Sequence, residues 1–223
     1  FDINIWYGAI AQGVMVDDWA DDNYDHSGLG FIGGASLHTY TEKHPISAAG
    51  MGTFGKTARR WGSQWKRFIS ENAGRSTGAY IQGNTYPYRN TWADLDPNVT
   101  DPFGDPVLRI TSGPKDAEPK ASAYASNKMM EWFRGAGAIE VSGGQGGNGP
   151  ALSTHAHGGT RMGLDPASSV VDAFGFVHDS PNFGVIGGSV MGTAGARNPT
   201  QTLQALAWRT AVHLAENWNT RTA

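Results

Sequence analysis

The 223-residue sequence contains no cysteine, which excludes disulfides, thiolate metal sites and thiol nucleophiles. Charge is sparse as well: Asp, Glu, Lys and Arg make up 17% of the residues and the formal net charge is -3. With no concentrated positive field, nucleic acid and anionic lipid are disfavoured as partners. No apolar run approaches the roughly 20 residues that a membrane-spanning helix needs. The opening residues, Phe1-Asp2-Ile3-Asn4-Ile5-Trp6, lack the basic and apolar regions of a signal peptide. Their alternation reads as a strand already under way, so a preceding segment is expected.

What is abundant is glycine, with 31 residues clustered at 28–34, 143–149 and 158–163, which predicts tight turns and close backbone approaches. A hydrophobic content of 39% suffices at this length for a sizeable core. From Thr53 to Ala73 the residues Phe54, Ala58, Trp61, Trp65, Phe68 and Ile69 recur at helical spacing, with Lys56, Arg59, Arg60, Lys66 and Arg67 between them. That is an amphipathic helix with a basic outer face. Short β-like runs at 79–82, 90–96 and 107–111, separated by turns such as Asp101-Pro102-Phe103-Gly104, predict an antiparallel sheet region.

A second helix is predicted over 120–134, with Ala121, Tyr124, Ala125, Met129, Trp132 and Phe133 on one face and Gly135 and Gly137 ending it. A strand over 139–141 should follow. The glycine run at 143–149 marks the main organisational boundary. Beyond it, 184–188 reads as a short buried strand, and a long helix runs from Pro199 to about Trp218. Its start is signposted by Asn198 as N-cap, Pro199 at the first helical position and Gln201 closing a capping box.

Several motifs fail for want of context. The pattern G-x-G-x-x-G occurs at 28–33 and at 144–149, but neither copy leaves a strand and opens a helix, as a phosphate site requires. His155-x-His157 with a distant His178 is a poor zinc pattern. Asp17, Asp18, Asp21 and Asp22 lack the spacing of a calcium loop, so no metal site is expected. No G-x-S-x-G surrounds Ser153 or Ser189, which leaves a serine hydrolase unsupported. His26, His38, His44 and His213 read as ordinary surface or hydrogen-bonded histidines.

The stretch from Thr154 to Ala211 is far more specific. Thr154-His-Ala-His-Gly-Gly-Thr-Arg-Met-Gly163-Leu-Asp-Pro166 is followed by Ser169-Val-Val-Asp172, Phe183-Gly-Val-Ile-Gly-Gly-Ser189 and Asn198-Pro-Thr-Gln-Thr202-Leu-Gln-Ala-Leu-Ala207. In order and spacing this resembles the C-terminal signature of the glucose-methanol-choline (GMC) oxidoreductases. Within them it is most similar to the branch of gluconate dehydrogenase large subunits, pyranose oxidases and glycoside 3-oxidases. Residues 23–34 and 92–106 agree more loosely.

The resemblance implies an α+β or α/β architecture. Residues 1–150 would be mostly a substrate-binding domain, an antiparallel sheet with flanking helices. Residues 151–223 would be the C-terminal part of a Rossmann-like FAD domain. It implies FAD as cofactor, His155 and Asn198 as the catalytic pair, and Gly187, Gly188, Asn198, Pro199 and Thr200 at the flavin. The spacing of His155 to Thr160 fits the family better than that of His157. Neutral imidazole suits removal of a hydroxyl proton, whereas an asparagine amide can only donate and position. The family's N-terminal glycine fingerprint for the ADP half of FAD is missing here. The implied partners are therefore an N-terminal FAD-binding half or companion chain and a small sugar or polyol substrate. A non-sugar alcohol as substrate and a non-catalytic scaffold role are the alternatives.

Overall fold

The computed structural model describes residues 13–21, 23–40, 61–113, 115–143 and 154–221. The chain divides into two compact units, one formed by 1–83 with 117–146 and the other by 84–116 with 147–223. Among the described helices none is long and apolar enough to cross a membrane.

In the first unit, β1 (Met15–Val16), β2 (Ala35–Tyr40) and β3 (Gly78–Gly83) form an antiparallel sheet in that order. Val16 lies opposite Leu37, and Leu37 opposite Ile81. Residues that oppose one another share a face, and alternate residues along a strand share it too. Ala35, Leu37, Ala79 and Ile81 therefore make one apolar face. Against it packs α2 (Ala117–Gly135), whose Ala125 and Met129 join Ala35 and Leu37 in the buried core, with Trp132 and Phe133 at its margin. The helical spacing of these side chains matches the stripe expected from the sequence.

The earlier helix, α1, runs over Gly62–Asn72; its expected first residues, 53–60, lie outside the described residues. Trp65, Phe68 and Ile69 are half-buried as the stripe implies, but Trp61 is 71% exposed and sits before the helix. Around 28–33 the glycines adopt left-handed φ values of 75–81° and the chain turns into β2. A strand follows that motif where a phosphate loop would need a helix; the second copy, at 144–149, lies outside the described residues. The strand expected over 139–141 does not form. After α2 the amides of Gly137 and Ala138 bond back to Arg134 and Phe133, and Ile139 is left fully exposed, with no strand beside it among the described residues.

In the second unit, β4 (Thr91–Thr100) and β5 (Pro106–Ser112) form a hairpin. Its turn is closed by the Asp101 carboxylate, which accepts the amides of Phe103 and Asp105 at 2.9 and 3.0 Å. Across the strands Arg109 donates twice to Asp94, at 2.8 and 2.6 Å. The single middle sheet expected from the sequence is thus divided, because β3 pairs with β2 and β4 with β5. A smaller hairpin joins β6 (Phe176–Val177) to β7 (Ser180–Gly184). This corrects the buried strand expected over 184–188: the strand lies earlier and is exposed, and the chain leaves it through Gly187 at φ 139° into a 3-10 turn over Gly188–Val190.

The long helix α3 (Thr200–Glu216) and the short α4 (Trp218–Arg221) close the chain. Thr210 donates to the Phe174 carbonyl at 2.8 Å, and His213 stacks on the Phe174 ring at 3.7 Å. Arg209 lies over the same ring and donates to the carbonyl of Ala173. Asp172 fixes that turn from inside by accepting the amides of Phe174 and Phe176. One face of α3 is thereby tied to the turn that precedes β6.

Candidate active site

The site is built on a strip of backbone pairing within the second unit. The Thr160 amide donates to the Ser189 carbonyl at 2.9 Å and the Met162 amide to the Val190 carbonyl at 2.8 Å. The Thr160 hydroxyl adds a bond to the Ser189 hydroxyl at 2.8 Å. These bonds lay the histidine-bearing segment alongside the 3-10 turn at 188–190. The approach is very close at Gly188, where a Cβ would stand 2.6 Å from the Ala156 carbonyl oxygen and 3.8 Å from Cδ1 of Leu203 on α3. The segment carrying His155, the Gly187-Gly188 pair and the start of α3 therefore meet around one glycine.

The two adjacent glycines serve different ends. Gly188 is required by the chain's own packing, since the space of its missing side chain holds the Ala156 carbonyl. Gly187 is required by its backbone, at φ 139°, and beyond its chain neighbours no atom of the described residues lies within 4 Å of where its Cβ would stand. Gly187 is thus required by its backbone conformation and leaves open space beside it.

The two neighbouring histidines are also differently placed. His157 Nδ1 lies 2.9 Å from the His155 carbonyl oxygen, and a carbonyl only accepts, so Nδ1 carries the proton. In the neutral ring Nε2 is then an acceptor, and the Thr85 hydroxyl donates to it across 3.0 Å. Thr85 is itself held by paired backbone bonds with Ala194, at 3.0 and 3.2 Å. Both nitrogens of His157 are committed to holding the loop. His155 is half-buried two residues earlier. Thr85, 72 residues from His157, carries no sequence signal that would have singled it out.

Asn198 is exposed, and its expected capping role is corrected. The Pro199 carbonyl takes the first helical bond, from the Leu203 amide at 2.9 Å, which makes Pro199 the cap residue. Proline has no side-chain acceptor, no side chain caps the helix, and the Asn198–Gln201 capping box does not form. Thr200 is the first helical residue and is exposed. The first turn of α3 contains no acidic residue, so the partial positive charge of the helix start is not cancelled by a carboxylate of its own. Among the described residues no three His, Asp or Glu side chains cluster as metal ligands. His178 is paired with the Ser169 hydroxyl at 2.9 Å.

A family model described as GMC oxidoreductase matches residues 94–207, just over half of the chain. The chain belongs to the GMC oxidoreductases. His155, Gly187, Gly188, Asn198, Pro199 and Thr200 all fall within the matched span. Among characterised proteins, it is 32% identical to the gluconate 2-dehydrogenase flavoprotein of Pantoea cypripedii, over 96% of this chain and 36% of that protein. It is 28% identical to the 2-methyl-1,2-propanediol dehydrogenase of Mycolicibacterium austroafricanum, over 85% of this chain and 34% of that protein. With the paromamine 6'-oxidase of Streptomyces fradiae it shares 38% identity over 52% of this chain and 21% of that protein. The chain thus spans between 21% and 36% of the length of these relatives.

Gly188→Ala should force the Ala156 carbonyl away and loosen the strip. Amide hydrogen exchange at Thr160 and Met162 should accelerate by about tenfold or more, because local opening sets protection there. Unchanged exchange at both amides would show that the close approach at Gly188 does not hold the histidine segment.

Proposed function

We propose that this chain is the C-terminal portion of an FAD-dependent oxidoreductase that oxidises a CH–OH group of a sugar, glycoside or polyol, with His155 as base. The observation that carries this reading is the convergence of the His155 segment, the two glycines and the start of α3 at Gly188. Membership of the GMC family and the names of the relatives support a CH–OH donor. In the same reading residues 1–150 mostly bind substrate and 151–223 complete the FAD domain.

The residues present suit the redox-active end of a flavin. Gly187 leaves room beside the backbone, and the start of α3 offers amides without a competing carboxylate. Among the described residues no glycine turn joins a strand to a helix in the manner of an ADP-binding fingerprint. An N-terminal FAD-binding half, or a companion chain, would supply that part. When bound, FAD supplies the hydride acceptor at N5.

This chain's own residues then do three things. His155 takes the hydroxyl proton of the donor as its C–H bond breaks, the task of a general base. Asn198, just before α3, donates its amide to the donor oxygen and holds the carbon in a reactive orientation. The amides of the first turn of α3, at Thr200 and beyond, stabilise negative charge that develops on the cofactor ring. His157 serves the loop and not the chemistry, since its Nδ1–H and Nε2 are spent on His155 and Thr85.

In the assembled flavoprotein, His155→Ala should slow flavin reduction by about 100-fold or more while FAD stays bound. His157→Ala should slow it by less than about tenfold and act chiefly through loosening of the loop. Stopped-flow reduction of the two variants tests this, and a reversed order would make His157 the base. Asn198→Ala separates chemistry from capping. Because no cap bond is lost, its unfolding free energy should stay within about 0.5 kcal/mol of the parent, while donor oxidation slows. A stability loss with unchanged reduction would remove Asn198 from the site.

A further inference from the structure

Two segments of the second unit carry the residues given to the chemistry. One holds His155 and His157; the other runs from the 3-10 turn at 188–190 through Ala194 to Asn198. The bonds from Thr160 and Met162 tie the first segment to the turn itself, at Ser189 and Val190. A further tie comes from a residue outside both segments and reaches each of them.

That residue is Thr85, in the same unit. Its amide donates to the Ala194 carbonyl at 3.0 Å, and its carbonyl accepts the Ala194 amide at 3.2 Å, which makes an isolated antiparallel bridge. Its hydroxyl donates to His157 Nε2 across 3.0 Å, and the same ring donates from Nδ1 to the His155 carbonyl at 2.9 Å. The two ties make different demands on the sequence. Any residue but proline can supply the backbone pair, whereas the ring needs a short side chain with a donor. A β-branched side chain also suits an extended bridge, so threonine meets both demands at once. Without the hydroxyl, His157 Nε2 would lose its donor at a half-buried position, and acceptors withdrawn from water are rarely left unmet.

We propose that Thr85 is a positioning residue for the oxidation: its backbone holds the segment leading to Asn198, and its hydroxyl holds, through His157, the segment carrying His155. The inference rests on the reading of His155 as base and Asn198 as amide donor, and adds the residue that sets their spacing. Taking a proton from a hydroxyl while its oxygen accepts from an amide requires base and amide to be in reach of one oxygen at the same time. Thr85 acts through the backbone it holds and takes no part in the transfer of proton or hydride.

Variants of the assembled flavoprotein test this, with D-glucose, D-gluconate or glycerol as donor, whichever reduces the parent. Thr85→Val keeps the branched shape and the backbone bridge and removes only the hydroxyl. Its limiting rate of flavin reduction should fall by about fivefold, with the donor Kd within about twofold of the parent. Thr85→Ser keeps the hydroxyl and should stay within about twofold in both. Added to His157→Ala, Thr85→Val should slow reduction by less than about a further twofold, because both act through one ring. Amide hydrogen exchange reads the same tie without turnover. In Thr85→Val the Thr160 amide should exchange about threefold faster or more while the Ala194 amide keeps its protection; a residue that only stabilised the fold would loosen both. A parent-like rate in Thr85→Val, an equal loss in Thr85→Ser, or full multiplicative slowing in the double variant overturns the inference. So does unchanged exchange at Thr160, whatever the rate. The proposed activity fails separately, if no sugar or polyol reduces the parent; whether Thr85 holds the histidine segment is then decided by exchange at Thr160 and Ala194.

Discussion

The close approach of the Ala156 carbonyl to Gly188 is the constraint on which the rest of the candidate site depends. A carbonyl oxygen 2.6 Å from where a Cβ would stand admits only glycine. The two flanking amide bonds, from Thr160 and Met162 to the 3-10 turn, hold the approach in register. Leu203 reaches the same glycine from α3, so the helix start is located by the contact that locates the histidine segment. Three stretches, at Ala156, Gly188 and Leu203, acquire a fixed relation from one missing methyl group.

That frame holds two histidines one residue apart, of which His157 has both ring nitrogens bonded. Under the proposed role of His155 as general base, its loop must be rigid, or the base spends its time out of reach of the proton it takes. Here the rigidity comes from His157, whose ring spans from the His155 carbonyl to a threonine anchored on Ala194. In that proposal the neighbour is a positioning residue, and its hydrogen bonds fix the backbone of the segment that carries His155.

Much of this was legible in the sequence, for identifiable reasons. The helix α2 followed from apolar spacing, because it packs one face on a sheet, whereas α3 followed from its start signals, of which Pro199 at the helix start holds and the capping box does not form. The β4–β5 hairpin followed from Asp101-Pro102-Phe103-Gly104, whose first carboxylate closes the turn. The family followed from motif order between Thr154 and Ala207, and the matched span of 94–207 agrees with it. What failed was local hydrophobicity without knowledge of neighbours. Ile139 and Val141 look like a strand but have no strand to pair with among the described residues, and Val185 and Ile186 look buried although the chain is leaving β7 towards Gly187. The cap at Asn198 failed because the first helical bond falls on Pro199, one residue later. Thr85 was illegible for a simpler reason: its role depends on a partner that only the folded chain defines.

The proposed division of labour between this chain and a flavin-binding half is tested most directly by the visible absorption spectrum of the protein purified in two forms. Produced alone, the chain should be colourless, because the ADP half of the cofactor finds no binding segment among the residues described. Produced together with a flavin-binding N-terminal half, it should co-purify as a yellow assembly holding about one flavin per chain, bleached on addition of a sugar or polyol donor. Stoichiometric flavin on the isolated chain, or an assembly that forms without flavin, would contradict it.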